Sequence, residues 1–472
     1  MRIRLLISAV LLLAANATFP QTPYTELKYP PLKPITPPDI ERTVLPNGVI
    51  LYVVEDHELP LINLSARIGV GSIDEPADKI GLADITGSVM RTGGTAQHSG
   101  DQIDEELESI AASVETGISL TSGFASMSVL KENIDTGLEI LADILMNPAF
   151  PQDKIDLEKI EQQSVIARRN DNPGAVAGRE FNKLIYGAES VYARHPEYRT
   201  INAITREELV AFHKKYFYPN NIMIGIWGDF KTKEITQKIN QYFGKWKKGE
   251  SRKPVSPPVS YNFDSQVTFV QKPEINQSHI YLGHIGGIAS NPDYFALEVM
   301  NDILSGGFWS RLLRNVRAEQ GLAYSVSGRF GSNFNYPGTF YAAAQTKSET
   351  TAKTIRSLLK EVEKLQQEEV SDEELALAKE SYLNSYVFNF DTKAEVLNRL
   401  MTYEYYDYPK DFLEQTKANI EKVTKADILR VAKKYLHPAQ VRVLVVGQDK
   451  NLDEPLSAFG KVREIDITIP EQ

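Results

Sequence analysis

Hydrophobic and polar positions alternate along several short segments of the chain, and other segments repeat their apolar residues with the period of a helix. Alternation predicts strands within residues 60–72 and 123–130, because successive side chains of a strand point to opposite faces of a sheet. The helical period predicts a helix after Gly81 and long helices over residues 132–146 and 152–170. The two kinds of element are mixed without regular alternation, and this mixture predicts an α+β fold.

The most informative pattern is a repeat of helix, proline break and buried strand. ITREELVAFHKKYFYPNNIMIGIWGDF begins at Ile204 and VTKADILRVAKKYLHPAQVRVLVVGQD begins at Val423, so the two copies align without a gap 219 residues apart. Both copies have a threonine N-cap ahead of an apolar-periodic helix. The Gly81 helix resembles residues 294–307 more loosely. A period of this length predicts two homologous, duplicated domains rather than a solenoid.

The N-terminus has the pattern of a secretory signal peptide. Arg2 and Arg4 precede an apolar run over residues 5–15, and small residues at positions 15–17 suit cleavage. The chain has no cysteine, which excludes a lipid anchor at the cleavage site, disulfides and thiolate metal ligands. We therefore expect a soluble periplasmic or secreted protein after removal of the signal peptide.

The charge of the chain narrows the choice of partners. The formal net charge is −10, and loss of Arg2 and Arg4 with the signal peptide lowers it by two, to about −12. An acidic surface repels nucleic acid and anionic lipid, so neither is an expected partner. No later segment is apolar enough to cross a bilayer.

These patterns divide the chain into five segments. Proline and glycine residues with polar neighbours separate the two repeats, which is typical of an exposed linker. The predicted segments are a signal peptide (1–17), a Pro-rich lead (18–39), an N-terminal domain (40–248), a linker (249–263) and a C-terminal domain (264–470).

The order of the elements, the repeat and the segment SGGFWSRLLRNVRAEQGLAYSV at residues 305–326 together resemble the pitrilysin/insulinase family. This family of inverzincin zinc peptidases includes the mitochondrial processing peptidases. The resemblance covers nearly the whole chain after the signal peptide. It implies two duplicated α+β domains that form half of a clamshell around a peptide-binding chamber. Active members carry the zinc motif H-x-x-E-H on the first long helix.

In this chain the resemblance places Asp84, Gly87 and Ser88 at the three motif positions. Aligned on Asp171 and Pro173, the family's third zinc ligand, a glutamate, falls near Ser164 or Val165, with Glu161 about one helical turn away. Zinc needs imidazole or carboxylate ligands, and the general base needs a side chain that accepts a proton. We therefore expect a degenerate site without metal, and zinc only in a partner subunit.

The histidines give no sign of another metal site that could replace the lost motif. No two histidines stand four residues apart, as zinc-binding pairs on a helix do. The seven histidines are His57, His98, His195, His213, His279, His284 and His437.

The second half retains two residues that the family uses on its substrate. Arg317 and Tyr324 match the positions from which an arginine and a tyrosine reach the scissile peptide. A guanidinium and a phenol can donate hydrogen bonds to a carbonyl oxygen or a developing oxyanion. The plainer alternative is an exposed helix arginine and a tyrosine in the core or at its rim.

The retained and lost positions lead to one main hypothesis and two rivals. We expect a non-catalytic subunit of a heterodimeric zinc peptidase, whose zinc-bearing homologous partner cleaves peptides or unfolded polypeptides. The first rival is a peptide-binding or scaffold protein without proteolytic function, for which a homodimer is one open assembly. The second is an unrecognised hydrolase, supported only by Asp84 and scattered acids. In the first domain, we expect the two runs within residues 116–130 to bind extended peptide at a sheet edge.

Overall fold

The computed structural model describes residues 38–250, 255–260 and 262–470. The predicted signal peptide and nearly all of the predicted Pro-rich lead lie outside the described residues. Within the described part, no helix is both long and apolar enough to span a membrane.

Within the described residues, the first half contains one sheet and eight α-helices. The strands, in the spatial order β1-β2-β6-β3-β5-β4, are β1 (Glu41–Val44), β2 (Ile50–Glu55), β3 (Leu61–Ile68), β4 (Ser113–Ile118), β5 (Gly123–Leu130) and β6 (Ile222–Gly228). The helices are α1 (Leu82–Thr92), α2 (Gly100–Ser109), α3 (Ile134–Met146), α4 (Gln152–Arg168), α5 (Pro173–Tyr186), α6 (Tyr198–Asn202), α7 (Arg206–Tyr216) and α8 (Thr232–Phe243).

The second half repeats this plan around a sheet of seven strands. Its strands, in the order β13-β7-β12-β8-β11-β10-β9, are β7 (Gln266–Gln271), β8 (Gln277–Ile285), β9 (Gly287–Ile288), β10 (Ala323–Asn333), β11 (Pro337–Lys347), β12 (Arg442–Gly447) and β13 (Val462–Glu464). Its helices are α9 (Tyr294–Ser305), a π-helix (Leu312–Glu319), α10 (Thr351–Gln367), α11 (Asp372–Tyr386), α12 (Lys393–Tyr405), α13 (Phe412–Lys422) and α14 (Lys425–Tyr435).

The repeat in the sequence corresponds to equal places in the two sheets. Strand β6 lies between β2, to which it is parallel, and β3, to which it is antiparallel. Strand β12 lies in the same way between β7 and β8. Helices α7 and α14, which precede them, each begin with a capping box, at Thr205 and Thr424. This equivalence confirms the predicted duplication of an α+β unit.

Each half has its own core, as the alternation of the strands requires. Along β3, every second residue is buried, and Ile62 and Leu64 pack beneath α1 and its neighbours in one large cluster. The corresponding cluster of the second half contains Ile280 and Leu282 of β8.

The two halves exchange a helix, and this exchange was not visible in the sequence. Helix α5 of the first half covers the second sheet, where Phe181 packs against Leu444 and neighbouring apolar residues. Helix α12 of the second half covers the first sheet, where Leu397 packs against Tyr52 and Met223. Each half therefore depends on the other, and the described residues form one compact unit. The predicted domain bounds stay a prediction.

The segment predicted as an exposed linker is held against the protein over its described residues. The amide of Gly249 donates to the Asn220 side chain at 2.9 Å. The Tyr192 hydroxyl donates to the carbonyl of Pro257 at 2.6 Å, and Asn335 donates to Ser256 at 2.6 Å. Polar composition predicted exposure, but it does not reveal side chains elsewhere in the chain that hydrogen-bond the segment.

Candidate functional site

Helix α1, which carries the degenerate motif, begins at a fixed point. Gly81 is its N-cap with φ of 105°, a left-handed conformation that favours glycine. The Glu75 carboxylate accepts hydrogen bonds from the amides of Gly81 and Ala83 at 3.2 and 3.0 Å. Burial raises the pKa of Glu75 to about 7. The first turn of α1 is therefore held by a buried side chain rather than by solvent.

Asp84 and Ser88 both bind helix α4. The Gln162 amide donates to Asp84 Oδ2 at 2.6 Å, and the Ser88 hydroxyl donates to Glu158 Oε2 at 2.6 Å. Gln162 also donates to Glu158 Oε1 at 3.1 Å, which joins the four residues into one network. The two motif positions therefore tie two helices of the same chain together.

The electrostatics of Asp84 match this structural role. Packing against α4 desolvates its carboxylate and raises its pKa, although part of the side chain still reaches solvent. The hydrogen bond from Gln162 opposes this shift, and the negative charges of Glu158 and Glu161 add to it.

The sequence-based placement of the third-ligand position was wrong. Residues Glu158 and Gln162 face α1, whereas Val165 is 58% exposed. The placement relied on Pro173, but α4 ends at Arg168 and a short turn separates it from that proline. A landmark beyond a helix end does not fix the rotation of the helix, while Glu158 and Gln162, four residues apart, share one face.

Gly87 allows a close contact between α1 and strand β4. Its carbonyl accepts a hydrogen bond from the Thr116 hydroxyl at 2.6 Å. A Cβ at Gly87 would lie 2.7 Å from the backbone nitrogen of Ile118 and 2.8 Å from the backbone of Gly117. At the position of the family's general base, backbone atoms of β4 thus occupy the space into which a side chain would extend.

These residues do not fit a zinc ion. The site offers the carboxylates of Asp84 and Glu158 and the hydroxyl of Ser88, without an imidazole. Ser88 donates to Glu158, and Gln162 donates to both carboxylates. Across the described residues, no group of three histidines or acidic side chains is placed to hold a metal. Asp84 and Ser88 lie on one face of α1 as predicted, but their oxygen atoms form hydrogen bonds with α4.

We predict that the purified chain carries far less than one zinc per molecule after mild dialysis. The reason is the donor set, because a carboxylate that is engaged by Gln162 and has no imidazole beside it competes poorly for zinc. Plasma emission spectrometry checks the content, with an H-x-x-E-H family member purified in parallel as the positive control. One tightly bound zinc per chain would contradict this interpretation of the first half.

Only one of the two runs predicted to bind peptide lies at an edge of the first sheet. Of the two runs, β4 is the outer strand of the first sheet, whereas β5 lies between β3 and β4. The Arg91 Nε donates to the carbonyl of Val114 at 2.6 Å, so one acceptor of β4 is already used. Strand addition is therefore expected only along the remainder of β4.

Arg317 and Tyr324 occupy two irregular places in the second half. Arg317 lies in the π-helix. This conformation is rare in proteins overall, and where it occurs it is often at a functional site. Tyr324 lies between Ala323 and Ser325, where the pairing of β10 with β11 shifts by a bulge. Bulges re-aim side chains, and the Tyr324 side chain is 76% exposed.

The polar atoms of both side chains are left without a partner in the described fold. In the described part of the chain, no hydrogen bond or ion pair engages the side chain of Arg317 or Tyr324. The guanidinium of Arg317 lies 5.8 Å from the ring centre of Phe308, a cation–π contact. No described contact joins either residue to Asp84 or Ser88, so the structure does not unite the two predicted parts of the site.

A cavity of about 960 Å³ lies on the second sheet beside the start of α5. Its polar lining includes Ser325, which follows Tyr324 in the chain, and His279. Burial lowers the pKa of His279. Gly174 at the start of α5 completes the wall. The sequence did not reveal this cavity, because a helix from the other half forms part of it.

Two family descriptions match the chain. "Insulinase (Peptidase family M16)" matches residues 53–191, and "Peptidase M16 inactive domain" matches residues 203–382. A protein of Rickettsia felis described as an uncharacterized zinc protease is 28% identical over 345 residues, which are 71% of this chain and 80% of that protein.

Solved structures share the fold. The crystal structure of a peptidase M16 inactive domain from Pseudomonas fluorescens has a TM-score of 0.79 at 24% identity, covering 88% of this chain and 99% of that chain. The periplasmic protease PqqL from Escherichia coli has a TM-score of 0.71 at 15% identity, covering 94% of this chain but 50% of that chain. The likeness therefore extends over both halves of the described fold.

Proposed function

The chain belongs to the insulinase family of peptidases, family M16, and we propose that it is the non-catalytic subunit of a two-chain zinc peptidase of this family. The observation that carries the proposal is the contrast between its two halves. In the first half, Asp84, Gly87 and Ser88 stand at the zinc-motif positions and bind other parts of the chain. In the second half, Arg317 and Tyr324 match the family's substrate-binding positions and remain exposed.

This contrast favours a role in a complex. In the described chain, the side chains of Arg317 and Tyr324 are exposed and form no hydrogen bond or ion pair, so their donors are available to a ligand. A peptide carbonyl is the group that both side chains can bind. The general base and the metal must then come from a second chain, because the residue at position 87 has no side chain.

The length of one structural neighbour agrees with a two-chain assembly. This chain spans half of PqqL, so a protein with that fold contains about twice the number of residues in one polypeptide. In the proposed assembly, a second subunit supplies the other half of the chamber. We propose an exported homologue that carries H-x-x-E-H as that subunit.

The proposed location and substrate follow from the same reasoning. We propose that the chain acts outside the cytoplasm, because its first residues fit a secretory signal peptide. The proposed substrates are exported peptides or unfolded segments. They are expected to lie along the polar face of the second sheet, where Ser325 and His279 line the cavity.

The experiment that tests the proposal combines isolation and reconstitution. The tagged chain is purified from its native cells, and the co-purifying proteins are searched for a homologue with H-x-x-E-H. We expect each subunit alone to leave a quenched fluorescent peptide intact and an equimolar mixture to cleave it. Sizing of the mixture checks that a complex has formed.

One observation favours a second candidate, a peptide-binding scaffold. The cavity on the second sheet is complete within a single chain, so peptide binding there needs no partner. A stable homodimer that binds the peptide, combined with a mixture that stays inactive, would support the scaffold and contradict the heterodimeric peptidase.

A further inference from the structure

The loop between α9 and the π-helix exposes an aromatic side chain. Phe308 is 80% exposed and Tyr324 is 76% exposed, the two highest values among the large hydrophobic residues of the described chain. Burying a phenylalanine side chain stabilises a fold, and Phe308 forgoes this gain. Its position therefore points to a role on the surface rather than in the core.

The loop holds Phe308 in a defined place. On one side, the amide of Gly306 donates to the carbonyl of Asp302 at 2.8 Å. On the other side, the buried Ser310 donates through its amide to the carbonyl of Gly307 at 2.8 Å. Phe308 thus projects from a tight turn that is fixed at both ends.

Arg311 adds a strong anchor just beyond this turn. Its guanidinium is 6% exposed and donates two hydrogen bonds to the Glu374 carboxylate, at 2.7 and 3.0 Å. A bidentate pair of this kind fixes direction as well as position. The start of the π-helix, and with it the turn that carries Phe308, is therefore attached firmly to α11.

The Phe308 ring is the partner of Arg317. The distance of 5.8 Å between the guanidinium carbon and the ring centre lies within the range of a cation–π contact. In the described chain, no carboxylate or carbonyl competes for the Arg317 side chain. An arginine held by a ring keeps its donors free, whereas an ion pair would occupy them.

We propose that Phe308 is a positioning residue that holds the Arg317 guanidinium ready for the peptide carbonyl. This inference rests on the proposed function, since it assigns a cause to the orientation of the proposed substrate-binding arginine. A flexible arginine in solvent samples many rotamers, and stacking on a fixed ring reduces that freedom before substrate binds. The benefit is expected mainly in the transition state, where charge develops on the oxygen.

The test compares Phe308→Leu with Phe308→Tyr in the reconstituted mixture. Leucine keeps apolar bulk but has no π-face, while tyrosine keeps the ring. We expect Phe308→Leu to lower kcat about two- to fivefold, the size of an exposed cation–π contact, with little change in KM. Phe308→Tyr is expected to retain the wild-type values. In an Arg317→Ala background, Phe308→Leu is expected to have no further effect.

A second measurement uses the chain alone. In arginine-labelled protein, the δ-protons of Arg317 are expected to show a ring-current shift that disappears in Phe308→Leu and persists in Phe308→Tyr. Equal Arg317 signals in the wild type and Phe308→Leu would overturn the inference without touching the proposed function.

The kinetic outcomes separate the two proposals. If Arg317→Ala leaves cleavage unchanged, the proposed function is wrong. If Arg317→Ala impairs cleavage while Phe308→Leu behaves as the wild type, only the positioning role is wrong. A rise in KM with unchanged kcat in Phe308→Leu would mean that Phe308 contacts the peptide directly, which also overturns the positioning role.

Discussion

Gly87→Ala is expected to destabilise the chain by about 1–3 kcal/mol, the usual cost of overpacking. An alanine in the interior of a helix ordinarily gains about 1 kcal/mol over glycine. Here the added Cβ would lie 2.7 Å from the backbone nitrogen of Ile118, and backbone of a sheet strand yields less easily than the end of a side chain. Urea unfolding followed by circular dichroism measures the difference.

Gly178→Ala is the matched control. Gly178 also lies inside a helix, α5, but the nearest atom to its added Cβ is the Tyr281 hydroxyl at 4.0 Å. This variant is expected to be about 0.5–1 kcal/mol more stable than the wild type. If Gly87→Ala were equally stabilising, β4 would be free to move away from α1. The close contact would then not be the reason for a glycine at position 87.

The same contact has a consequence for the lost zinc motif. Substituting Asp84→His, Gly87→Glu and Ser88→His restores the family's residue types on α1. A glutamate at position 87 begins with the Cβ that the β4 backbone excludes. Glu158 on α4 is of the residue type that the family uses as its third ligand, but its carboxylate accepts hydrogen bonds from Ser88 and Gln162.

The sequence predicted elements more reliably than their mutual placement. The hydrophobic periods identified α7 with β6 and α14 with β12, because a local pattern suffices to mark a capped helix and a buried strand. The exchange of α5 and α12 between the halves depends on contacts far apart in the chain. No local pattern states which of two similar sheets a helix will cover.

Helix α4 shows why the site was only partly predictable. Its buried apolar residues are Ile155 and Ile166, while Leu157, Ile160 and Val165 are more than half exposed. Apolar residues on both sides of a helix give no clear face, so the sequence offered no means of choosing its rotation. A landmark beyond the helix then selected the wrong residues. Glu158, the partner of Ser88, could be found only from the structure.

For the second half, Arg317→Ala is expected to lower kcat/KM of the reconstituted mixture on the order of 100-fold or more, the typical cost of losing an oxyanion-type donor. Arg317→Lys is expected to fail substantially as well, because an ammonium cannot reproduce the planar fork of donors. Tyr324→Phe removes one hydroxyl donor and leaves the ring. Steady-state cleavage of a quenched fluorescent peptide measures all three, with sizing to show that the subunits still associate.

Arg314→Ala is the control for losing one positive charge from the same helix. Arg314 lies on the same π-helix and is also exposed, but its guanidinium already bonds Asn315 at 3.1 Å and lies 4.0 Å from Glu319. Its loss is expected to change kcat/KM less than about twofold, as for an ordinary surface contact. Equal losses in Arg314→Ala and Arg317→Ala would indicate a general effect of positive charge. Full activity in the double variant Arg317→Ala, Tyr324→Phe would remove this chain from the chemistry, because no other exposed donor here matches the family's positions.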